Sequence, residues 1–365
     1  MTAMTTELLK DTQFDPTKAE AFAGQMLNIL NMGATCLMIS IGHRTELFDT
    51  LSELPPSSSS QIADAAGLNE RYVREWLNAM VVGRIVDYDP IAKTYTLSAE
   101  HAAFLTRAAG SDNIALVMQY IPILGSVEEQ IVDCFYKGGG VPYSQYQRFH
   151  TVMAEDSGQS TVAGLFDHIL PLIEGLTEIL QQGIDVLDLG CGSGRALIRM
   201  AKTFPNSRFT GYDFSSEAIA NAIADAQLHK LGNVQFQVKD AATLDECDRY
   251  DLITTFDAIH DQAKPDVVLH NIYKALRSDG VYLMQDIQAA TEVSRNLEHP
   301  ISPFLYTISC MHCMTVSLAY GGMGLGTMWG QEKALELLEN AGFRQVEVKQ
   351  LTHDFLNSYY IIHKF

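Results

Sequence analysis

Apolar and polar positions follow different periods in the two halves of the chain, and the change of period sets the expected architecture. From residue 18 to 42 (KAEAFAGQMLNILNMGATCLMISIG) apolar positions recur at helical spacing with small residues between them, which predicts a tightly packing helical arm. Residues 46–54 continue it, and Pro55-Pro56 with four following serines breaks it. A short helix is then expected through Ala66, a turn at Gly67, and a second helix from about Glu70 with Asn69 as N-cap. Alternation at 84–88 and 94–97 around Asp89-Pro90 predicts a hairpin, the wing of a winged helix. Residues 111–180 read as mostly helical, interrupted at Gly138-Gly139-Gly140, Pro142 and Pro171. From Gly183 short apolar runs alternate with helices: DVLDLG, SRFTGYD, VQFQVKD, DLITTFD and GVYLMQD, with a helix at 331–341 followed by closing strands at 343–351 and 357–365. That alternation predicts an α/β fold with a doubly wound parallel sheet.

Composition narrows the class. A chain of 365 residues with 47% apolar content is an ordinary globular protein, long enough for two domains at roughly 100–200 residues each. Its net charge of −19 makes nucleic acid an unlikely partner unless a basic patch exists. Residues 1–110 hold 8 Lys or Arg against 13 Asp or Glu, and the second helix of the winged motif sets Arg71 and Arg74 among Glu70 and Glu75. Phosphate binding needs unopposed cations, so the winged helix is expected to serve dimerisation and to cover an active site. Six scattered cysteines and the absence of a signal-peptide pattern point to the cytoplasm. Residues 299–331 contain no Asp, Glu, Lys or Arg, but Pro300, Pro303, His312 and many glycines argue for a buried segment and against a membrane span.

The chemistry concentrates at strand ends. Asp185-Val-Leu-Asp188-Leu-Gly190-Cys191-Gly192-Ser-Gly194-Arg195 is a strand running into a glycine-rich turn and a helix, where missing Cβ atoms let the backbone approach a nucleoside. A dinucleotide fingerprint would need glycine at position 195, which is arginine, so a nicotinamide cofactor is disfavoured. The run resembles the D-x-G-x-G-x-G loop of class I S-adenosylmethionine-dependent methyltransferases, and later strand ends continue the likeness. The resemblance implies S-adenosyl-L-methionine as cofactor, held by Asp188, Gly190, Cys191, Gly192 and Gly194. It further implies Asp213 with Phe214 at the ribose, Asp240 with Ala241 at the adenine amino group, and Phe256 with Asp257 beside the methionine portion. By residue type alone, Asp240 also reads as a turn cap and Cys191 as a small packing residue.

In TFDAIHDQAKP, His260-Asp261 follows the fourth strand. The pair resembles the His-Asp of plant- and polyketide-type O-methyltransferases, which implies that His260 is the catalytic base; Gln262 stands where those enzymes usually have Trp. Read without that likeness, His260 is equally a histidine at a helix start. The uncharged run PFLYTISCMHCMTVSLAYGGMGLGTMWG is expected to line an apolar acceptor pocket. Its candidates are Met311, His312 and Trp329, joined from YSQYQRFHTVMAEDSG by Tyr146 and His150, with Phe149, as a lid. Cys310-Met-His-Cys313 lacks the partners of a zinc or redox site, so no metal is expected.

Over roughly residues 20–365, the runs YQRFHTVMAEDSGQS, DVLDLGCGSGRAL, FPNSRFTGYDFS, FDAIHDQA and PFLYTISCMHCMTVSL resemble bacterial, including mycobacterial, winged-helix methyltransferases often labelled transcriptional regulators. The expected organisation is a helical arm and winged-helix domain at 1–110, a helical connector or lid at 111–180, and a Rossmann-like seven-stranded methyltransferase domain at 181–365 with a substrate-covering insertion at about 291–330. The implied function is methyl transfer, O-methylation favoured, to a small, largely apolar molecule by a homodimer. The alternative is a DNA-binding regulator that holds S-adenosylmethionine as a ligand.

Overall fold

The computed structural model describes residues 14–364 and divides into two compact units, the first reaching Ile121 and the second starting at Pro122. In the first unit the arm is one helix, Pro16–Arg44. Asp15 caps it by accepting from the N–H groups of Thr17 and Lys18, with proline at the first helical position. Leu47–Glu53 follows, then Ser59–Ala66 with a Ser58/Gln61 capping box, a left-handed Gly67, and Glu70–Val82 capped by Asn69. The arm meets the last of these closely: a Cβ on Gly42 would lie 2.5 Å from the Trp76 ring, and Trp76 Nε1 donates to Met38 O at 2.8 Å. Phe48, Leu77 and Met80 complete this core.

The wing is shorter than its alternation predicts. β1 (Asp87–Asp89) and β2 (Thr94–Thr96) pair antiparallel, whereas Arg84 turns left-handed and the N–H groups of Ile85 and Val86 bond back to Met80 O. The helix end therefore takes residues 84–86 out of the first strand. Four basic and five acidic residues occupy 60–97. Arg71 pairs with Glu75 and Arg74 with Glu70 on the exposed face of Glu70–Val82, so this helix offers no basic face. The arm itself is exposed at Phe22, Met26, Leu27, Leu30 and Met32, and it is long and apolar enough to cross a membrane.

The second unit holds a seven-stranded sheet ordered β5-β4-β3-β6-β7-β9-β8. Its strands are β3 (Asp185–Leu189), β4 (Arg208–Asp213), β5 (Val234–Val238), β6 (Tyr250–Phe256), β7 (Leu276–Ile287), β8 (Gln345–Leu351) and β9 (Asp354–His363). β3 to β7 run parallel, and β9 is antiparallel to both β7 and β8. Side chains alternate between faces: Leu187, Ile253 and Met284 pack under helices 265–275 and 330–341, and Val186, Leu252 and Leu283 under helices 195–203 and 216–228. Chain order reverses beside β3, which opens a crevice at the carboxyl ends of β3 and β6, the usual ligand position in such sheets.

Candidate active site

The β3 loop is shaped by its glycines. All three have left-handed φ; a Cβ on Gly190 would strike Ala258 at 2.6 Å and one on Gly194 would strike Phe236 at 2.4 Å, whereas Gly192 faces open space. The loop thus packs tightly at both ends and leaves bare backbone in the middle, where a ligand can approach. A cavity of about 110 Å³ lies over it, lined by Asp188, Gly190, Cys191, Gly192 and Phe256 among the expected residues, and by His150. Arg195, Met153, Ser157 and Thr161 also line it, and no sequence motif singled them out for this role.

Asp213 sits 8% exposed at the end of β4 and ties the loop together, its two carboxylate oxygens accepting from Gly192 N at 2.9 Å and Ser215 N at 2.8 Å. Each oxygen retains a lone pair for a diol. Asp188 is fully buried and accepts from Thr254 Oγ1 at 2.8 Å; burial, with Asp213 nearby, pushes its carboxyl up to about 7. Asp240 is exposed and caps the turn Ala241–Thr243 through Ala242 N, and Ala241 is buried in that turn. Phe214 is half exposed and meets the Tyr143 ring edge-on at 5.5 Å. Asp257 has a left-handed φ of 51° and accepts from Gln285 Nε2 at 2.9 Å. Burial, with Asp286 nearby, raises it to about 8. The Cys191 thiol, pushed well up by burial, packs against Gly211 of β4.

Deeper in, His260 forms a dyad with a residue the sequence did not flag, Asp286 at the end of β7. Nδ1 lies 2.8 Å from Asp286 Oδ1, which also accepts from Trp329 Nε1 at 2.9 Å. Nε2 lies 3.2 Å from Asp261. Burial disfavours the imidazolium, but Asp286 and Asp261 together outweigh it and hold His260 well above its ordinary range; in turn Asp261, only partly buried, stays down at about 2. Trp329 therefore orients Asp286 as well as walling the region.

The insertion carries a π-turn, Ser309–Cys313, and this turn presents His312 inward, fully buried. Its ring stacks on Phe149 at 3.7 Å and meets Tyr143 and Tyr146 edge-on. Burial drives it down to about 4, so it is neutral, and its Nε2 has no hydrogen-bond partner among the described residues. Tyr146 donates to Met311 O at 2.5 Å. His150 bridges Tyr143 OH and Ser215 Oγ, each at 3.2 Å, and so joins this aromatic cluster to the residues around Asp213. Among the described residues, His260, Asp261 and Cys313 bring donor atoms within 4.8 Å of one another, a spacing a metal could accept. Those donors pair internally, with Thr327 Oγ1 on Cys313 Sγ at 2.9 Å.

Known proteins match both units. Residues 33–107 fit the family model described as a Rv2258c-like winged HTH domain, and residues 180–351 fit one described as a methyltransferase domain. The malonyl-[acyl-carrier protein] O-methyltransferase of Bacillus cereus is 34% identical over 103 residues, 27% of this chain and 36% of that protein. The fatty-acid O-methyltransferase of Mycolicibacterium smegmatis is 27% identical over 113 residues, 31% and 40% of the two chains. The alignments thus span well under half of these curated relatives. The human N-acetylserotonin methyltransferase, solved with S-adenosylmethionine, superposes with a TM-score of 0.69 at 16% identity, over 97% of this chain and 99% of that one. An O-methyltransferase family protein from Burkholderia thailandensis superposes at 0.62 and 14% identity, over 94% and 98%. The chain carries a winged helix-turn-helix domain followed by a methyltransferase domain.

Proposed function

We propose that the protein is an S-adenosylmethionine-dependent methyltransferase that methylates a hydroxyl on a small, largely apolar molecule. The observation that carries this reading is the buried His260–Asp286 dyad in the same unit as the glycine-loop cavity. When bound, the cofactor supplies a sulfonium-borne methyl group. The protein's part is to place the acceptor, exclude water and hold a proton. His260 takes the acceptor's hydroxyl proton at Nε2, while Asp286, braced by Trp329, fixes Nδ1. The resting imidazolium must first lose its proton, and Asp261 gives way as the acceptor arrives. Apolar substrates suit the ring cluster of Tyr143, Tyr146, Phe149 and His312, with His312 Nε2 and Met311 as further contacts and Tyr146 and His150 as part of the lid. Asp240 and Ala241 reach the adenine, Asp213 and Phe214 the ribose, and Phe256 and Asp257 the methionine end.

The exposed apolar side of Pro16–Arg44 supports homodimerisation through the N-terminal unit, and six unpaired cysteines suit the cytoplasm. The paired arginines of Glu70–Val82 weigh against a DNA-binding regulator. Incubation of metabolite extracts with isotopically labelled methyl donor is the direct test. Label is expected in a lipophilic hydroxyl compound; label only in nucleic acid, or in no small molecule, would sink the reading.

A further inference from the structure

The cavity over the glycine loop is lined by uncharged groups, one carboxylate, Asp188, and one side-chain cation, Arg195. Of the remaining titratable liners, His150 is held below its ordinary range by burial and the Cys191 thiol is pushed well up by it, so both are neutral at physiological pH. Among the described residues none forms an ion pair or hydrogen bond with the Arg195 guanidinium, although the chain as a whole has far more acids than bases. A cation left unpaired at a cavity in so acidic a protein is available for an anionic ligand group.

A further feature points the same way. Arg195 opens the nine-residue helix Arg195–Thr203, whose N-cap is Gly194, and no side chain caps its first turn. The free N–H groups and the helix dipole at that end also favour an anion. The guanidinium also lies close to the backbone of helix 149–159, where a Cβ on Gly158 would come within 2.6 Å of Arg195 Nη1.

We infer that Arg195 binds the carboxylate of the cofactor's amino-acid portion, as a positioning residue that sets the methionine end of S-adenosylmethionine. The inference rests on the reading of this cavity as the cofactor site. A planar guanidinium suits a carboxylate because its paired N–H groups match the two oxygens, while Asp188 supplies the complementary charge for the ammonium of the same amino acid.

The test is calorimetric and needs no methyl acceptor. The wild-type protein and the variants Arg195→Gln and Arg195→Lys are titrated with S-adenosylmethionine and with its decarboxylated analogue, which lacks the carboxylate and keeps the amine, sulfonium and nucleoside. Wild-type protein is expected to prefer the carboxylate-bearing ligand by about tenfold or more, the worth of a charged hydrogen bond. Arg195→Gln should erase that preference while leaving the analogue's affinity within about twofold, and Arg195→Lys should restore part of it. If Arg195→Gln keeps the wild-type preference, or weakens both ligands equally, the assignment fails while the cofactor site stands. If wild-type protein binds neither ligand, the cofactor site itself is wrong.

Discussion

The proposed cofactor side and the proposed acceptor side of this one unit are built on opposite plans. Around Gly192 the wall is backbone, the space is open, and the carboxylate of Asp213 is held by main-chain N–H groups of its own strand end and loop. Around His260 the wall is side chain on side chain: Phe149 stacks on His312, Tyr146 grips Met311, and Trp329 braces Asp286. A backbone cradle exists before its ligand arrives, whereas a side-chain wall is filled by its own residues and must rearrange to admit one. The first plan suits a ligand of fixed shape, the second a ligand that reshapes the wall as it binds.

Substitutions on each side test that division. His260→Gln should leave cofactor affinity unchanged and lower turnover by about 10²–10⁴-fold, the usual worth of a positioned base. Because Asp286 and Asp261 keep His260 charged in the resting protein, the wild-type rate should climb as pH rises past neutrality, and the Gln variant should lose that climb. A flat wild-type profile would leave proximity as the whole mechanism. On the other side, Asp213→Ala should weaken cofactor binding by about 1–3 kcal/mol in calorimetry; unchanged affinity would remove Asp213 from the ribose.

Asp188 adds a gentler effect. In the free protein its carboxyl titrates at about 7, and a cationic ligand favours the ionised form, so binding near neutrality should release a proton. Affinity should then fall as pH drops below 7, by at most about tenfold per unit. Binding heats that do not vary with the buffer's ionisation enthalpy would contradict this. The smallest effect belongs to the acceptor wall: Tyr146→Phe removes the bond to Met311 O and should cost about 1 kcal/mol in denaturant unfolding. A much larger cofactor-affinity loss than stability loss in that variant would show that the two sides are less separate than drawn.

The same division decides what could be read in the sequence. The strands, the capped helices of the winged motif and the glycine loop are local, because backbone φ values and caps demand particular residue types at neighbouring positions. Gly190, Gly192 and Gly194 are three such demands in five residues. The acceptor side joins positions far apart: Tyr146 with Met311, His260 with Asp286, and His150 between Tyr143 and Ser215. Asp286 looked like any acid at a strand end, and the π-turn that aims His312 leaves no mark in hydrophobic periodicity. Position 195 was noticed only for lacking a glycine, since no local rule assigns a use to an arginine there. The wing was misjudged for a related reason: Ile85 and Val86 alternate as a strand would, yet their N–H groups serve the preceding helix end.

The arm Pro16–Arg44 has a consequence during synthesis. It precedes the methyltransferase domain in the chain, and that domain takes on the order of 20–60 s longer to be translated. For that interval a 29-residue helix with Phe22, Leu27, Leu30 and Met32 outward has no finished protein beside it. Nascent chains on one messenger therefore present the same sticky segment at close quarters, and pairing between neighbouring ribosomes or capture by a chaperone competes with aggregation until the chain is complete.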